Sequence, residues 1–105
     1  MKTFLVVNPQ SANGQTGRRW PELSAQVGRA LGEFQHAFTQ RPLDAVRLTS
    51  EAIKGGCDCV VSVGGDGTLN EVVNGFFEGG SAIRPNVSLG VITRGTGGEI
   101  GRAHV

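Results

Sequence analysis

Residues 59–77 read CVVSVGGDGTLNEVVNGFF, and this stretch decides the fold class. Its first part is short, apolar and rich in valine, which is typical of a strand buried on both faces. Apolar residues spaced as i, i+3, i+4, i+7 and i+8 from Leu69 to Phe77 predict an amphipathic helix. Between the two, residues 64–67 place three glycines around one carboxylate. A strand, a glycine turn and a helix in direct succession indicate part of a parallel α/β unit.

The same alternation continues on both sides of this stretch. Runs typical of strands stand at residues 3–8, 33–39, 57–63 and 86–92, and stretches with helical spacing lie between them. Such alternation indicates parallel strands joined by right-handed crossovers. We therefore expect an α/β three-layer sandwich with a parallel sheet of about four strands. No further element is predicted after residue 92, and His104 is expected in a frayed tail.

Length and composition exclude several classes of protein. The 105 residues fit one small domain, and ten basic against nine acidic residues give a formal net charge of +1. That balance argues against nucleic acid or an anionic membrane as a partner. We see neither a secretory signal nor a transmembrane segment, so we expect a cytoplasmic protein. Glycine is the outlier, with 17 residues.

Cys57 and Cys59 are the only cysteines. They stand two apart in the predicted strand 57–63, so we expect both side chains on the same face of the sheet. No further pair of Cys or His stands at a spacing that would complete a zinc site. We interpret them as reduced, buried thiols.

The glycines cluster in loops that follow predicted strands. These loops are Asn8–Gly17, Gly64–Thr68 and Gly95–Gly98. In parallel α/β sheets, ligands bind beyond the carboxyl ends of the strands, where these loops would meet. This convergence is the main functional signal that the residues carry.

The central loop has the chemistry of a phosphate site. Thr68 and Glu71 form a Thr-x-x-Glu capping box, which predicts that the helix begins at Thr68. Free amide groups at a helix N-terminus bind anions. The loop is neither a Walker A motif nor a dinucleotide fingerprint, since Asn70 stands where the third glycine would be. Asp66 has two readings: it holds Mg²⁺ against nucleotide phosphates, or it stiffens the turn by accepting backbone hydrogen bonds.

Four segments resemble, in the same order, the diacylglycerol kinase catalytic domain family, which includes bacterial lipid kinases, sphingosine kinases and ceramide kinases. VVSVGGDGTLNEVVNGF resembles the family signature, and VVNPQSANG resembles its opening Asn-Pro motif. TQRPLDAVRLTSEAIKGGCD resembles its Thr-x4-Asp/His-Ala segment, and VSLGVITRGTGGEIGR resembles its late Gly-Thr-Gly-Asn-Asp motif. NAD kinases and phosphofructokinases share Gly-Gly-Asp-Gly but lack the other three segments in this form.

The resemblance implies a phosphofructokinase-like, Rossmann-like ATP-binding domain over residues 1–105. Family members transfer the γ-phosphate of ATP to a lipid hydroxyl, such as that of diacylglycerol, with Mg²⁺. The resemblance also implies that Asp66 is the metal-binding carboxylate. The residues that it places at the nucleotide are Asn8, Thr39, Gly64, Gly65, Asp66, Gly67, Thr68, Asn70, Gly95 and Thr96.

The match departs from the family in two ways. Thr93, Gly98 and Glu99 stand where the family commonly has Pro, Asn and Asp. The family also continues into a β-rich domain that holds the lipid site and the catalytic base, and no residue of this chain matches that base. We therefore expect this chain to represent the nucleotide-binding portion, to be inactive alone as a kinase, and to self-associate through uncovered apolar surface.

Two alternatives stay open at this point. One is a small-molecule kinase of the NAD kinase or phosphofructokinase type, which would share the central glycine loop. The other is a degenerate, non-catalytic module that binds nucleotide or only itself. The departures at Gly98 and Glu99 favour the second alternative over the first.

Overall fold

The computed structural model describes residues 1–94 and the backbone of residues 100–104. Helices and strands alternate along most of the chain. The strands are β1 (Thr3–Val7), β2 (Gln35–Phe38), β3 (Cys59–Gly64), β4 (Phe77–Glu78), β5 (Ser81–Ala82), β6 (Ser88–Thr93) and β7 (Ile100–His104). The helices are α1 (Gln15–Arg18), α2 (Trp20–Leu31), α3 (Asp44–Lys54) and α4 (Asp66–Gly75).

The main sheet has the strand order β2-β1-β3-β6-β7. Strands β2, β1, β3 and β6 are parallel, which confirms the predicted α/β fold with four parallel strands. Strand β7 is antiparallel to β6, with Ile92 opposite Ile100 and Ser88 opposite His104. The prediction of a frayed tail at His104 is therefore wrong. The sequence analysis did not predict β7 because the preceding segment is rich in glycine and because residues 100–104 show no alternation of apolar and polar side chains.

Helices cover both faces of the sheet, so the three-layer arrangement is also confirmed. Helices α3 and α4 pack on one face, and α2 packs on the other. The core on the first face is formed mainly by Val6, Ala45, Ile53, Val60, Val72, Phe76 and Leu89. The core on the second face is formed by Leu5, Val7, Trp20, Val27, Val61, Val63 and Ile92. Adjacent residues of β1 thus enter different cores, as the period-two alternation of a strand requires.

The two cysteines lie in different cores, and the prediction that they share a face is wrong. Cys57 packs on the α3–α4 face, whereas Cys59 packs on the α2 face. The reason is that β3 begins at Cys59, so strand alternation does not extend back to Cys57. Neither forms a disulfide and both are buried, as expected. Burial raises the pKa of the Cys57 thiol above its ordinary value.

Helix α4 is shifted towards the N-terminus relative to the prediction. It begins at Asp66, with Gly65 as its N-cap residue, and ends at Gly75. Phe77, predicted within the helix, instead begins β4 and is 41% exposed. The pair Gly79–Gly80, both with positive φ, connects β4 to β5 in a short hairpin. A two-residue glycine loop favours such a hairpin because its backbone matches the twist of the strands.

Strand β2 lies at one edge of the main sheet, as its alternating pattern predicts. His36 and Phe38 are exposed on it, and both rings contact Trp20, with centroid separations of 5.0 and 5.8 Å. In the part of the chain that the structure describes, no helix is long and apolar enough to cross a membrane.

Candidate functional site

The carboxyl ends of the four parallel strands meet at one edge of the sheet. Backbone hydrogen bonds continue the strand pairing into the loops beyond this edge. The backbone N–H of Asn8 donates to the carbonyl of Val63 at 2.9 Å. In the same way, the backbone N–H of Thr39 donates to the carbonyl of Val7 at 2.8 Å, and that of Arg94 donates to the carbonyl of Gly64 at 2.9 Å. Parallel pairing therefore brings residues from distant parts of the sequence side by side.

Gly64 makes the turn between β3 and α4 possible because the first turn of the helix packs directly on it. A Cβ atom at Gly64 would lie 2.6 Å from Thr68 Oγ1 and 3.3 Å from Asn8 Cβ. A Cβ atom does not approach another atom as closely as 2.6 Å, so a side chain at this position would force Thr68 or the end of the strand to shift. Any larger residue at position 64 would therefore push α4 away from the strand end.

Gly67 has the opposite surroundings. A Cβ atom at this position would meet no atom within 4 Å. Gly67 lies in the first turn of α4, where backbone amide groups have no acceptor within the helix. The open space beside Gly67 lets a ligand approach this first turn, and free amide groups together with the positive end of a helix dipole bind phosphate.

The predicted capping box does not form. Helix α4 has no side-chain cap hydrogen bond at its N-terminus. Thr68 Oγ1 instead accepts a hydrogen bond from Asn8 Nδ2 at 3.3 Å, and Glu71 Oε1 accepts one from the amide of Ala45 at 3.3 Å. Both side chains are thus used to join α4 to neighbouring elements, because tertiary partners compete with local ones.

Asp66 is exposed at the start of α4. Among the described residues its carboxylate accepts no hydrogen bond from the turn, so the turn-stiffening interpretation has no support there. A carboxylate at a helix N-terminus is compatible with the helix dipole. In the described part of the chain its oxygens have no competing hydrogen-bond donor, so they could bind a ligand.

A cleft of about 720 Å³ opens between the β1 loop, the β2–α3 loop and the start of α4. This volume is within the range of roughly 300–1,000 Å³ that is typical of small-molecule sites. The residues that line it are Asn8, Pro9, Gln10, Phe38, Thr39, Gln40, Arg41, Pro42, Ala45, Gly67, Thr68 and Glu71. A smaller hollow of about 240 Å³, beside Thr3 and Gln35, lies at the opposite end of the strands, away from the glycine loops.

The structure brings most of the predicted nucleotide residues together. Asn8, Thr39, Gly67 and Thr68 line the cleft, and Gly64 and Gly65 form the turn beneath it. Asp66 and Asn70 are exposed on α4 and are not lining residues. The predicted residues Gly95 and Thr96 lie outside the described residues.

A chain of hydroxyl groups, which the sequence analysis missed, joins the ends of β1 and β6. Ser11 Oγ donates to the carbonyl of Asn8 and contacts the buried Thr16 Oγ1, both at 2.7 Å. Thr16 Oγ1 in turn accepts a hydrogen bond from Arg94 Nε at 3.2 Å. The only signal that could have found Arg94 was its position at the end of a strand.

The charges around the cleft are arranged about one buried carboxylate, that of Asp44. Asp44 is the first residue of α3, and its Oδ2 accepts a hydrogen bond from the amide of Gln40 at 2.8 Å. This bond, with help from Arg47 and Arg41, lowers the pKa of Asp44 below its ordinary value, although burial opposes the shift. Asp44 is therefore ionised and paired under ordinary conditions.

Among the described residues, no group of three or more His, Cys, Asp or Glu side chains could hold a metal ion. A cation at this edge would therefore take at most two such side chains from the described residues and its remaining ligands from elsewhere. That donor set suits Mg²⁺, which keeps several water ligands and binds through one or two carboxylates and substrate phosphates. Asp66 is the exposed carboxylate nearest to the free amide groups of α4.

Sequence comparison with known proteins identifies one family, which covers almost the whole chain. The profile of the family described as "Diacylglycerol kinase catalytic domain" matches residues 2–104. A diacylglycerol kinase of Staphylococcus haemolyticus is 38% identical over 100 residues, which cover 94% of this chain and 29% of that protein. A diacylglycerol kinase of Staphylococcus aureus is 37% identical over 100 residues, which cover 94% of this chain and 30% of that protein.

Solved structures give the same result. The crystal structure of a diacylglycerol kinase from Bacillus anthracis matches with a TM-score of 0.71 at 28% sequence identity, covering 92% of this chain and 32% of that one. This chain therefore spans about three-tenths of the length of the curated relatives that it matches.

Proposed function

We propose, because this chain belongs to the diacylglycerol kinase catalytic domain family, that it forms the nucleotide-binding part of an ATP-dependent lipid kinase. The observation that carries the proposal is the convergence of the ends of β1 and β2 and the N-terminus of α4 on one cleft. The kinase would transfer the γ-phosphate of ATP to a lipid hydroxyl, such as that of diacylglycerol, within phospholipid metabolism.

The phosphates of ATP would bind at the first turn of α4. Gly67 leaves space for a ligand to approach the backbone, whereas Gly64 lets the turn pack tightly on the strand end. Asn8 holds the turn in place through its hydrogen bond to Thr68 Oγ1. Thr39 lines the cleft on the side of β2, where its hydroxyl would contact the nucleotide. Gly95 and Thr96 complete the proposed set of binding residues.

Asp66 would hold Mg²⁺ together with the phosphates. A carboxylate beside bound phosphate raises the repulsion between anions unless a cation lies between them. When bound, Mg²⁺ neutralises phosphate charge during phosphoryl transfer. Asp66 orients that cation through its exposed carboxylate and leaves the backbone amide groups of the helix free for the phosphates.

The 105-residue chain alone should bind MgATP without transferring phosphate to lipid. Phosphoryl transfer requires that the acceptor hydroxyl be positioned and its proton accepted. Among the described residues that line the cleft, Glu71 is the only carboxylate, and its Oε1 already accepts the amide of Ala45. Glu71 thus joins α4 to α3, and no other described residue that lines the cleft carries a carboxylate that could accept the proton.

A calorimetric titration of MgATP into the chain tests the proposal. We expect saturable binding, and we expect Asp66→Ala to raise the dissociation constant about 10-fold, the effect of losing roughly 1.4 kcal/mol. The matched control is Glu33→Gln, which removes an exposed carboxylate from the loop before β2, at the opposite end of the sheet. A folded chain that binds no MgATP, or that loses as much affinity through Glu33→Gln, would contradict the proposal.

We also propose that the chain self-associates and that it is located in the cytoplasm. Self-association would use exposed apolar side chains, of which Phe38, Leu43 and Phe77 are 40%, 68% and 41% exposed. Cytoplasmic location follows from the proposed nucleotide substrate.

A further inference from the structure

The loop between β2 and α3 forms one wall of the cleft. Thr39, Gln40, Arg41 and Pro42 all line the cleft from this loop. Its last residue, Leu43, has φ of +73°, a left-handed conformation that is unfavourable for a residue with a branched side chain. Surrounding contacts must therefore hold the loop in place.

Asp44 supplies these contacts from within the fold. Its side chain is only 5% exposed, although it carries a charge. Oδ2 accepts the amide of Gln40 at 2.8 Å. Oδ1 lies 3.6 Å from Arg41 Nε and 3.4 Å from Arg47 Nη2. One carboxylate thus binds both the middle of the loop and the first turn of α3.

A second carboxylate ties this assembly to the phosphate-binding helix. Glu71 in α4 accepts the amide of Ala45, the residue after Asp44, at 3.3 Å. The wall of the cleft is therefore connected to α4 through the start of α3. Displacement of the loop would move Thr39 relative to Gly67 across the cleft.

We propose that Asp44 is a positioning residue for nucleotide binding, which it serves by fixing the loop that carries Thr39 against α4. This inference rests on the proposed function of the cleft. Asp44 does not itself line the cleft, so it acts through Gln40 and Thr39. Its burial and its three partners distinguish it from the exposed charges of α3, such as Glu51, whose one partner within the described residues is Arg47.

Calorimetry with MgATP and amide hydrogen exchange without ligand test the inference together. We expect Asp44→Ala to raise the dissociation constant for MgATP about 10-fold, as expected for a loss of roughly 1.4 kcal/mol. We also expect faster exchange of the Gln40 amide. Asp44→Asn retains an oxygen that accepts this amide and should restore most of the affinity. Glu51→Gln is the matched control, because it removes another partner of Arg47 without touching the loop.

A double-mutant cycle separates positioning from general stability. If Asp44 acts through Thr39, Asp44→Ala and Thr39→Val together should weaken binding by less than the product of their separate effects. Independent effects would overturn the inference, as would Asp44→Ala binding MgATP like the wild type. Should Asp44→Ala fail to fold, Asp44→Glu, which keeps the charge but displaces the oxygens, takes its place. A wild-type chain that binds no MgATP would instead overturn the proposed function itself.

Discussion

The two ends of the α3–α4 pair are joined by different kinds of contact. At the cleft end, Glu71 reaches across to the amide of Ala45 through a polar contact. At the far end, which is the C-terminus of α4, Gly75 approaches the first half of α3, and a Cβ atom there would lie 2.6 Å from Thr49 Cβ and 2.7 Å from the carbonyl oxygen of Val46. Ser50 Oγ also donates to the carbonyl of Gly75 at 3.0 Å.

This difference shows that glycine serves two purposes within one helix. Gly67 leaves space for a ligand, whereas Gly75 removes a side chain so that two helices can pack together. The far end is consequently close-packed, with little space between the helices, whereas the cleft end is joined by a charged side chain that spans the gap. Substitutions at the two ends should therefore change different measured quantities.

The largest expected effect is loss of stability at the far end. Gly75→Ala places a methyl group against the backbone of α3, which should lower the free energy of unfolding by about 3 kcal/mol. Urea denaturation monitored by circular dichroism measures the change. Gly28→Ala in α2 is the control, because its Cβ would meet nothing closer than 4.0 Å. Equal stabilities of the two variants would show that the α3–α4 contact is not close-packed.

A smaller effect, on binding rather than stability, is expected at the cleft end. Gly67→Ala has room for its methyl group and gains helix propensity, so the free energy of unfolding should rise by about 0.5 kcal/mol. The same methyl group occupies space that phosphate would approach, so the dissociation constant for MgATP should rise about 10-fold. Calorimetry measures the dissociation constant, and urea denaturation of the same preparation measures the free energy of unfolding. Reduced stability with unchanged affinity would reverse the assignment of the two ends.

The smallest expected effect is a pH dependence confined to the cleft end. The amide of Gln40 lowers the pKa of Asp44, and Arg47 and Arg41 add to the shift, while Glu71 is the nearby carboxylate of α4. The contribution of Asp44 to stability is thus complete above its ordinary pKa of 3.8 and is lost as the pH falls through the lower folded value. The difference in melting temperature between wild type and Asp44→Asn should therefore shrink on acidification.

Gly75→Ala provides the contrast for this measurement. Packing against Thr49 and Val46 involves no titrating group, so its effect on stability should stay constant over the same pH range. A constant difference for Asp44→Asn, or a pH-dependent one for Gly75→Ala, would contradict the description of the two ends.

Local patterns were enough to predict the layers and the position of the site. The valine-rich run of β3, the glycine turn and the apolar stripe of α4 lie within residues 59–77, so their periodicity is visible without any distant partner. The carboxyl ends of parallel strands must share one edge, so the meeting of Asn8, Thr39 and Gly67 also follows from the predicted topology.

Contacts between residues that are distant in the sequence decided the hydrogen-bond partners around the cleft, which local patterns did not predict. Thr68 and Glu71 fit a local capping box, yet they bond to Asn8 and Ala45, which are 60 and 26 residues away along the chain. Arg94 reaches Thr16 across 78 residues.

The sequence by itself determined the alternation of strands and helices, the glycine turn and the edge of the sheet where the cleft lies, because each depends on periodicity over a few neighbouring residues. Only the tertiary structure decided which carboxylate is buried, which glycine faces the cleft and which glycine lies between helices. Those outcomes depend on the space and the hydrogen-bond partners that remain once the layers have packed, and a local pattern contains neither.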